Sequence, residues 1–531
     1  MLLPSFSLTI AMTILPLQLF SNYIPVIQGL AVTTSATATT GRLKSMESQQ
    51  KQQQKQQQKQ QQQQQQHLVL LGGGHAHAQV IRALHSKARP SHLTVTVIDL
   101  QRSACYSGMI PGCVSQLYSP EDTLLQLEPL CEWAGIQFIN DEVIDIDLEH
   151  KYLIMKHSKK QQQQQQQQQQ IYFDALSIDI GSTCRGFDDI PGVSKYAIPT
   201  RPISNLLPRI QQAEHTLNHN NETKTQVVVV GAGAAGMELA MSIVARWRPL
   251  LRTHLRVTLL DAGTALLPNE STACQHAIQQ VLTTRGVEVR HNCHVQQLTR
   301  NHIHLDTGDT LEYTHCLWAT GAAAHPLAHT LQTRGLAVHP QGWIQVNQHL
   351  QSLSHPFLFA AGDCSNIEGL PKGPPPKAGV YAVRAGPILI DNLTAYLQQK
   401  PLIKYKPQND FLKLMVCGDG TALGFRFGHP IYGRWVMQMK DHIDQMFMSL
   451  FKKENLPCLN DEVTYDTSQY DDNNNSGRTR LQPQTAANLL RRTDDSVDYL
   501  LAWNVLRDMT KDEHYQQQVL AEMENSVVMI L

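Results

Sequence analysis

Residues 225–244, TQVVVVGAGAAGMELAMSIV, carry four consecutive valines straight into three spaced glycines and then into a helical pattern. An unbroken run of Val reads as a strand buried on both faces. In a strand–turn–helix of this kind, Gly231 permits the tight turn. Gly233 lets the backbone approach a diphosphate, and Gly236 lets the helix pack closely on the strand. Glu238 continues the helix, and the next strand, LRVTLLDA, ends at Asp261, thirty residues after Gly231. An acid at that point accepts hydrogen bonds from a ribose diol, and no Arg immediately follows it to receive a 2′-phosphate. The unit is a dinucleotide-binding βαβ, with NADH expected over NADPH.

A second, earlier copy lies about 160 residues upstream. HLVLLGGG (67–74) runs a strand into glycines, AQVIRALHS continues as a helix, and LTVTVIDL ends at Asp99. Gly72 and Gly74 hold the first two fingerprint positions, while His77 stands at the third, so looser helix–strand packing is expected there. His75, Ala76 and His77 open the helix whose N-terminal amides would face a diphosphate or ribose. The two histidines lie in the turn without a second cluster at ligand spacing, so no metal site is assigned to them or to the 24 His overall. Two dinucleotides in one chain point to hydride transfer from a nicotinamide to a flavin.

The 531 residues are enough for about three domains. Lys+Arg 44 against Asp+Glu 45 gives a net charge of −1, which argues against a nucleic-acid binder that relies on bulk charge. Ten Cys without a CxxC spell neither a zinc ribbon nor a disulfide framework. Residues 1–45 read as a targeting leader: 8–20 resemble a signal h-region, and the Ser/Thr-rich stretch beyond suits a transit peptide. Plastid import is favoured, with a secretory or mitochondrial route, or a cytosolic form started at Met46, as alternatives. Residues 46–66 are a Gln-rich disordered spacer. The run Gln161–Gln170 separates two strand-like segments and marks a hairpin tip, where added length costs little closure entropy.

Further punctuation follows the second unit. A β-meander closes on Ala319–Thr320–Gly321, and HPFLFAAGDCS ends a strand at Gly362–Asp363, where an Asp can bond a ribityl hydroxyl. These residues resemble the pyridine nucleotide-disulfide oxidoreductase superfamily over about 67–400, in particular the group that includes type II NADH dehydrogenases. Still more similar are the flavoproteins fused to selenide, water dikinase. The segments GGGHAHAQVIR, YSGMIPG, LSIDIGS, PKAGVYAVRAG and GRWVMQMKDHIDQMFM carry that resemblance. It implies an α/β fold of two Rossmann-like three-layer domains. FAD would lie in residues 67–200 and 325–400, NAD(P)H in an inserted domain, 201–324, with a C-terminal α+β extension over 401–453. Residues 454–482 read as a linker and 483–531 as a helical tail.

The resemblance also implies that Lys377 and Ala378, in the segment after Gly362–Asp363, lie beside the flavin. Lys377 would there stabilise negative charge on the reduced ring, with a solvated loop lysine as the alternative. Cys105 and Cys113 match a redox pair poorly, since Gly108, Pro111 and Gly112 interrupt the helix that would present them. Electrons then leave the flavin for a small diffusible acceptor, a quinone being the natural candidate. The alternatives are a sulfur- or selenium-handling reductase using Cys184 and Cys364, and a flavin-binding partner or sensor with little turnover. Finally, Trp435, Met439, Ile443, Met446, Phe447 and Leu450 form an amphipathic stripe within 434–451. Core packing, a dimer seam or peripheral membrane contact would each use it, and Arg434, Lys440, Lys452 and Lys453 keep the membrane option open.

Overall fold

The computed structural model describes residues 65–156, 170–217, 224–457, 480–493 and 497–524. The leader, most of the Gln spacer and most of the linker lie outside these residues. So do 157–169, but the strands that flank them, Tyr152–Met155 and Ile171–Tyr172, pair antiparallel with Leu153 opposite Ile171, as expected for a hairpin.

The first domain grows from β1 (Gln66–Leu71), α1 (His75–Ala83), β2 (Leu93–Asp99), β3 (Gln137–Asn140) and β4 (Ala175–Ile178). The chain then leaves to build a second sheet from β5 (Ala197–Pro199), β6 (Thr225–Val230), β7 (Leu255–Leu260), β8 (Val287–Arg290) and β9 (His315–Trp318), with α2 (Ala234–Leu251) between β6 and β7. It returns through β10 (Leu358–Ala360) and α3 (Gly379–Leu397). The sheets are parallel, in the orders β10-β4-β1-β2-β3 and β5-β9-β6-β7-β8. They share the four-strand order β4-β1-β2-β3 and β9-β6-β7-β8, with the strand that enters each glycine turn at the centre of the sheet. They differ in the edge strand, which comes last in the chain in the first sheet and first in the second. Because both faces are covered, the central strands are apolar throughout: Leu68, Val69 and Leu70, like Val227, Val228 and Val229, are fully buried. In the second domain Val227 and Val229 pack on the helix side, while Val228 packs on Leu298, Ile303 and Leu305 of an antiparallel meander. The short strand β5 pairs Ala197 with Cys316 of β9, so the second domain begins before residue 201. Three residues carry too little pattern to assign a strand to a sheet.

The C-terminal part is an antiparallel sheet, β11 (Lys413–Val416), β12 (Ala422–Arg426) and β13 (His429–Gly433), followed by α4 (Arg434–Ser449). The tail forms α5 (Pro483–Arg491), α6 (Tyr499–Lys511) and α7 (Glu513–Glu524). These helices pack on α4 in a core of Trp435, Met439, Leu490, Val505, Leu506 and Val519. Most of the stripe on α4 is therefore spent on the molecule's own interior, while Met446 stays exposed. Trp435 and Met439 are fully buried, Phe447 joins the core of the first domain, and Lys440 is buried as well. Among the described residues no helix is long and apolar enough to cross a membrane.

Candidate functional site

The glycine turn of the second domain has the shape its sequence demands. Gly231 takes φ +105, and a Cβ on Gly236 would stand 1.8 Å from the Gly231 carbonyl oxygen, so only glycine lets α2 lie so close to β6. A Cβ on Gly233 would meet nothing within 4 Å. That open approach to the N-terminus of an 18-residue helix is what a dinucleotide diphosphate requires. Gly321, at the end of β9, likewise faces open space. Asp261 accepts from the Gly263 amide at 3.0 Å, and its other oxygen lies 2.8 Å from His291 Nδ1. His291 was not foreseen; it comes from the loop after β8. Glu238 departs from its predicted cofactor role. Its carboxylate turns to the C-terminal sheet and accepts the Val416 amide at 2.9 Å, and burial pushes its pKa up to about 7, against the opposing pull of Lys440.

In the first domain the same turn is built differently. His77, fully buried, places Nδ1 2.6 Å from the Gly72 carbonyl and Nε2 2.8 Å from Ser177 Oγ on β4. The third glycine of the other turn packs on the equivalent carbonyl; here an imidazole bonds to it and ties the turn to the neighbouring strand. The His77 imidazole is thus a structural tie, leaving only its backbone amide at the helix N-terminus. His75, by contrast, has a buried Nε2 with no partner, its ring 5.3 Å from that of Tyr106 and 6.0 Å from that of Phe447. Burial pulls its pKa down to about 4, so the ring is neutral. Asp99 holds the Gly73 amide at 2.6 Å and the Gln101 amide at 2.7 Å.

Asp179, within LSIDIGS, escaped the sequence reading. Its carboxylate accepts from the amides of Ala76 (3.0 Å) and His77 (3.3 Å) in the first turn of α1. It is 4% exposed, and burial raises its pKa to about 7. The only sequence signal was an acid directly after a buried strand, where an apolar residue would otherwise be expected.

Gly362 and Asp363 lie across from that carboxylate. Asp363 is paired with Arg201 and accepts from Ser182 Oγ at 3.1 Å. Beside Asp363, a cleft lined by Lys377, Ala378 and Tyr381 opens at the N-terminus of α3. Lys377 donates to the Ser365 carbonyl and stands 4.2 Å over the Trp343 ring, and burial lowers its pKa. Cys364 packs its thiol against the carbonyls of Ile178 and Ala361, and burial pushes it up to about 12. Cys184 lies 3.4 Å from Thr200 Oγ1 in a different apolar cluster, beneath the second sheet. Cys105 ends a short strand and Cys113 lies on the following helix, its thiol pushed up to about 11. Burial thus holds the Cys105, Cys113 and Cys364 thiols above the ordinary thiol range.

The residues fit a dinucleotide at both turns: an open approach at Gly233, an orphaned imidazole nitrogen at His75, and acids closing both second strands. Such a pair of repeated sheets defines a two-dinucleotide oxidoreductase. The chain belongs to the pyridine nucleotide-disulphide oxidoreductase family, whose sequence profile matches residues 66–386. It is 25% identical over 387 residues to a type II NADH:quinone oxidoreductase of Haemophilus influenzae, covering 67% of this chain and 86% of that one. It is 22% identical over 331 residues to a probable mitochondrial NADH-ubiquinone oxidoreductase of Schizosaccharomyces pombe, covering 57% of this chain and 59% of that one. Among solved structures, that of NDH2 from Plasmodium falciparum in complex with NADH superposes with a TM-score of 0.59 at 15% identity, over 74% of this chain and 99% of that one.

Proposed function

We propose that this protein is an FAD-dependent NADH oxidoreductase that passes electrons to a small diffusible acceptor, a quinone in the first instance. The carrying observation is the pair of parallel sheets in one chain that share a four-strand order, each with a glycine turn at the N-terminus of a helix. FAD is assigned to the turn at Gly72–His77 with Asp99, Asp363 and the N-terminus of α3. NADH is assigned to Gly231–Gly236 and Gly321, with Asp261 on the ribose. Bound FAD supplies the hydride acceptor and the carrier of both electrons. The chain's part is orientation: helix N-termini hold the diphosphates and acids fix the riboses. No side-chain acid or base is needed for that half-reaction. The quinone assignment is supported by the Haemophilus relative, whose name gives that acceptor. An organelle is favoured, in line with the mitochondrial yeast relative.

Mixing the flavin-loaded protein anaerobically with NADH should bleach its visible absorbance quickly, and NADPH should do so more slowly. A soluble quinone should then restore the colour. Retained flavin that NADH fails to bleach would sink the enzyme reading and leave a flavin-binding sensor in its place.

A further inference from the structure

The amides that open α1 are where a dinucleotide diphosphate binds, and in this chain they already hold an internal acid. The Asp179 carboxylate takes the Ala76 and His77 amides, and glycine backbone walls it in on two sides. A Cβ on Gly74 would stand 2.3 Å from the carboxyl atoms, and one on Gly362 2.5 Å from Oδ1. The glycine backbone thus holds the carboxyl closely on those two sides. The charged and titratable neighbours are Asp99 at the end of β2, His75 and His77 on α1, Asp363 paired with Arg201, and Lys377 before α3. Cys364, on the same segment as Asp363, is a neutral thiol. The two histidines are neutral, and Arg201 is committed to Asp363. Lys377 is turned to Ser365, so among the described residues no cation faces Asp179 directly.

We infer that Asp179 is a proton-linked determinant of FAD affinity: it binds a proton from solvent when the diphosphate arrives, and FAD enters only the protonated site. This rests on the assignment of FAD to the first turn. Placing two phosphate charges beside a fixed buried carboxylate is strongly unfavourable. Protonation removes the repulsion, keeps an oxygen for the amides and leaves an O–H to donate to a phosphate oxygen. In the free protein the acid titrates near neutrality, at about 7. Above that point each binding event must take up one proton, so affinity falls as pH rises.

Apoprotein stripped of flavin would be titrated with FAD from pH 6 to 9, following flavin fluorescence. Calorimetry at pH 8.5 in two buffers of different ionisation enthalpy would count protons. The wild type should weaken by about tenfold per pH step of one above 7, with about one proton taken up. Asp179→Asn, a neutral near-isostere, should bind with a flat pH response, take up no proton, and hold FAD at least tenfold more tightly than the wild type at pH 8.5. Asp179→Ala should also be flat, which separates charge from the amide's own hydrogen bonds. FAD binding by the wild type with a flat response, or a slope retained in Asp179→Asn, overturns the inference alone. Failure of the wild type and both variants to bind FAD at pH 6 overturns the flavin assignment, and this inference with it.

Discussion

At the scale of single residues, two glycines of one turn carry opposite demands. A methyl on Gly236 would meet the Gly231 carbonyl at 1.8 Å, and that atom is backbone. Gly236→Ala must therefore push α2 off β6, at a cost of about 1–3 kcal/mol of the kind seen for overpacked cores. Gly233→Ala adds its methyl to open space, so thermal stability should not change, while the approach of the nicotinamide dinucleotide is obstructed and the KM for NADH rises. Melting curves and steady-state kinetics on both variants check the contrast, and a destabilised Gly233→Ala would refute it. Asp179 makes a stability prediction independent of any ligand. Its carboxyl, ordinarily near 3.8, titrates at about 7 in the fold. A buried acid with a raised pKa favours the folded state while protonated. That advantage is lost as pH climbs from about 4 to 7, amounting to about 4 kcal/mol at 1.36 kcal/mol per pH step. Asp179→Asn in the apoprotein should thus match the wild type near pH 4 and exceed it in denaturant midpoint at pH 8. Equal midpoints at pH 8 would mean the carboxylate is compensated in the fold.

Among the secondary-structure elements, α4 shows where sequence pattern stops informing. Its apolar stripe was visible, but what covers it was not, because the cover comes from tail helices whose partners lie some 50 residues away along the chain. Lys440 and Asp444 sit at i and i+4, the spacing of an ordinary exposed helix pair, yet both are buried. Lys440 Nζ lies 2.6 Å from Asp444 Oδ2 and 2.6 Å from the Gly108 carbonyl, and Tyr106 donates to the other Asp444 oxygen at 3.2 Å. A buried pair broken on one side leaves a charge without its partner. Lys440→Met should accordingly cost about 3–5 kcal/mol in urea unfolding, and a second change, Asp444→Leu, should recover much of it. A single variant as stable as the wild type would show the pair is solvated. The dinucleotide units were legible for the reverse reason: four valines, a glycine turn and an acid thirty residues on are all local signals. Asp179 was not, since its partners Ala76 and His77 are about 100 residues earlier in the chain. Only the folded sheet brings β4 beside the glycine turn that follows β1.

For the whole molecule, the C-terminal sheet and α4 act as a joint. Phe447 and Met448 enter the core of the first domain, Met415, Leu423 and Phe425 enter that of the second, and Trp435, Val436 and Met439 face the tail. Among the described residues of 480–524, none enters either of the two large cores, so the tail stabilises the joint and not the dinucleotide domains themselves. Its contribution is direct: Trp435 Nε1 donates to the Arg492 carbonyl at 2.7 Å, and Leu490, Val505, Leu506 and Met509 close over the indole and its neighbours. Removing residues 480–531 uncovers one side of several large apolar groups at once, a loss on the order of 5 kcal/mol at 1.5–3 kcal/mol for each side chain fully exposed. The shortened chain should melt earlier, with a red-shifted tryptophan emission and dye binding to the bared face. The two parallel sheets should persist, because their hydrogen bonds and cores are untouched. Unchanged melting and emission would mean that the tail helices leave α4 in solution and that something else covers Trp435.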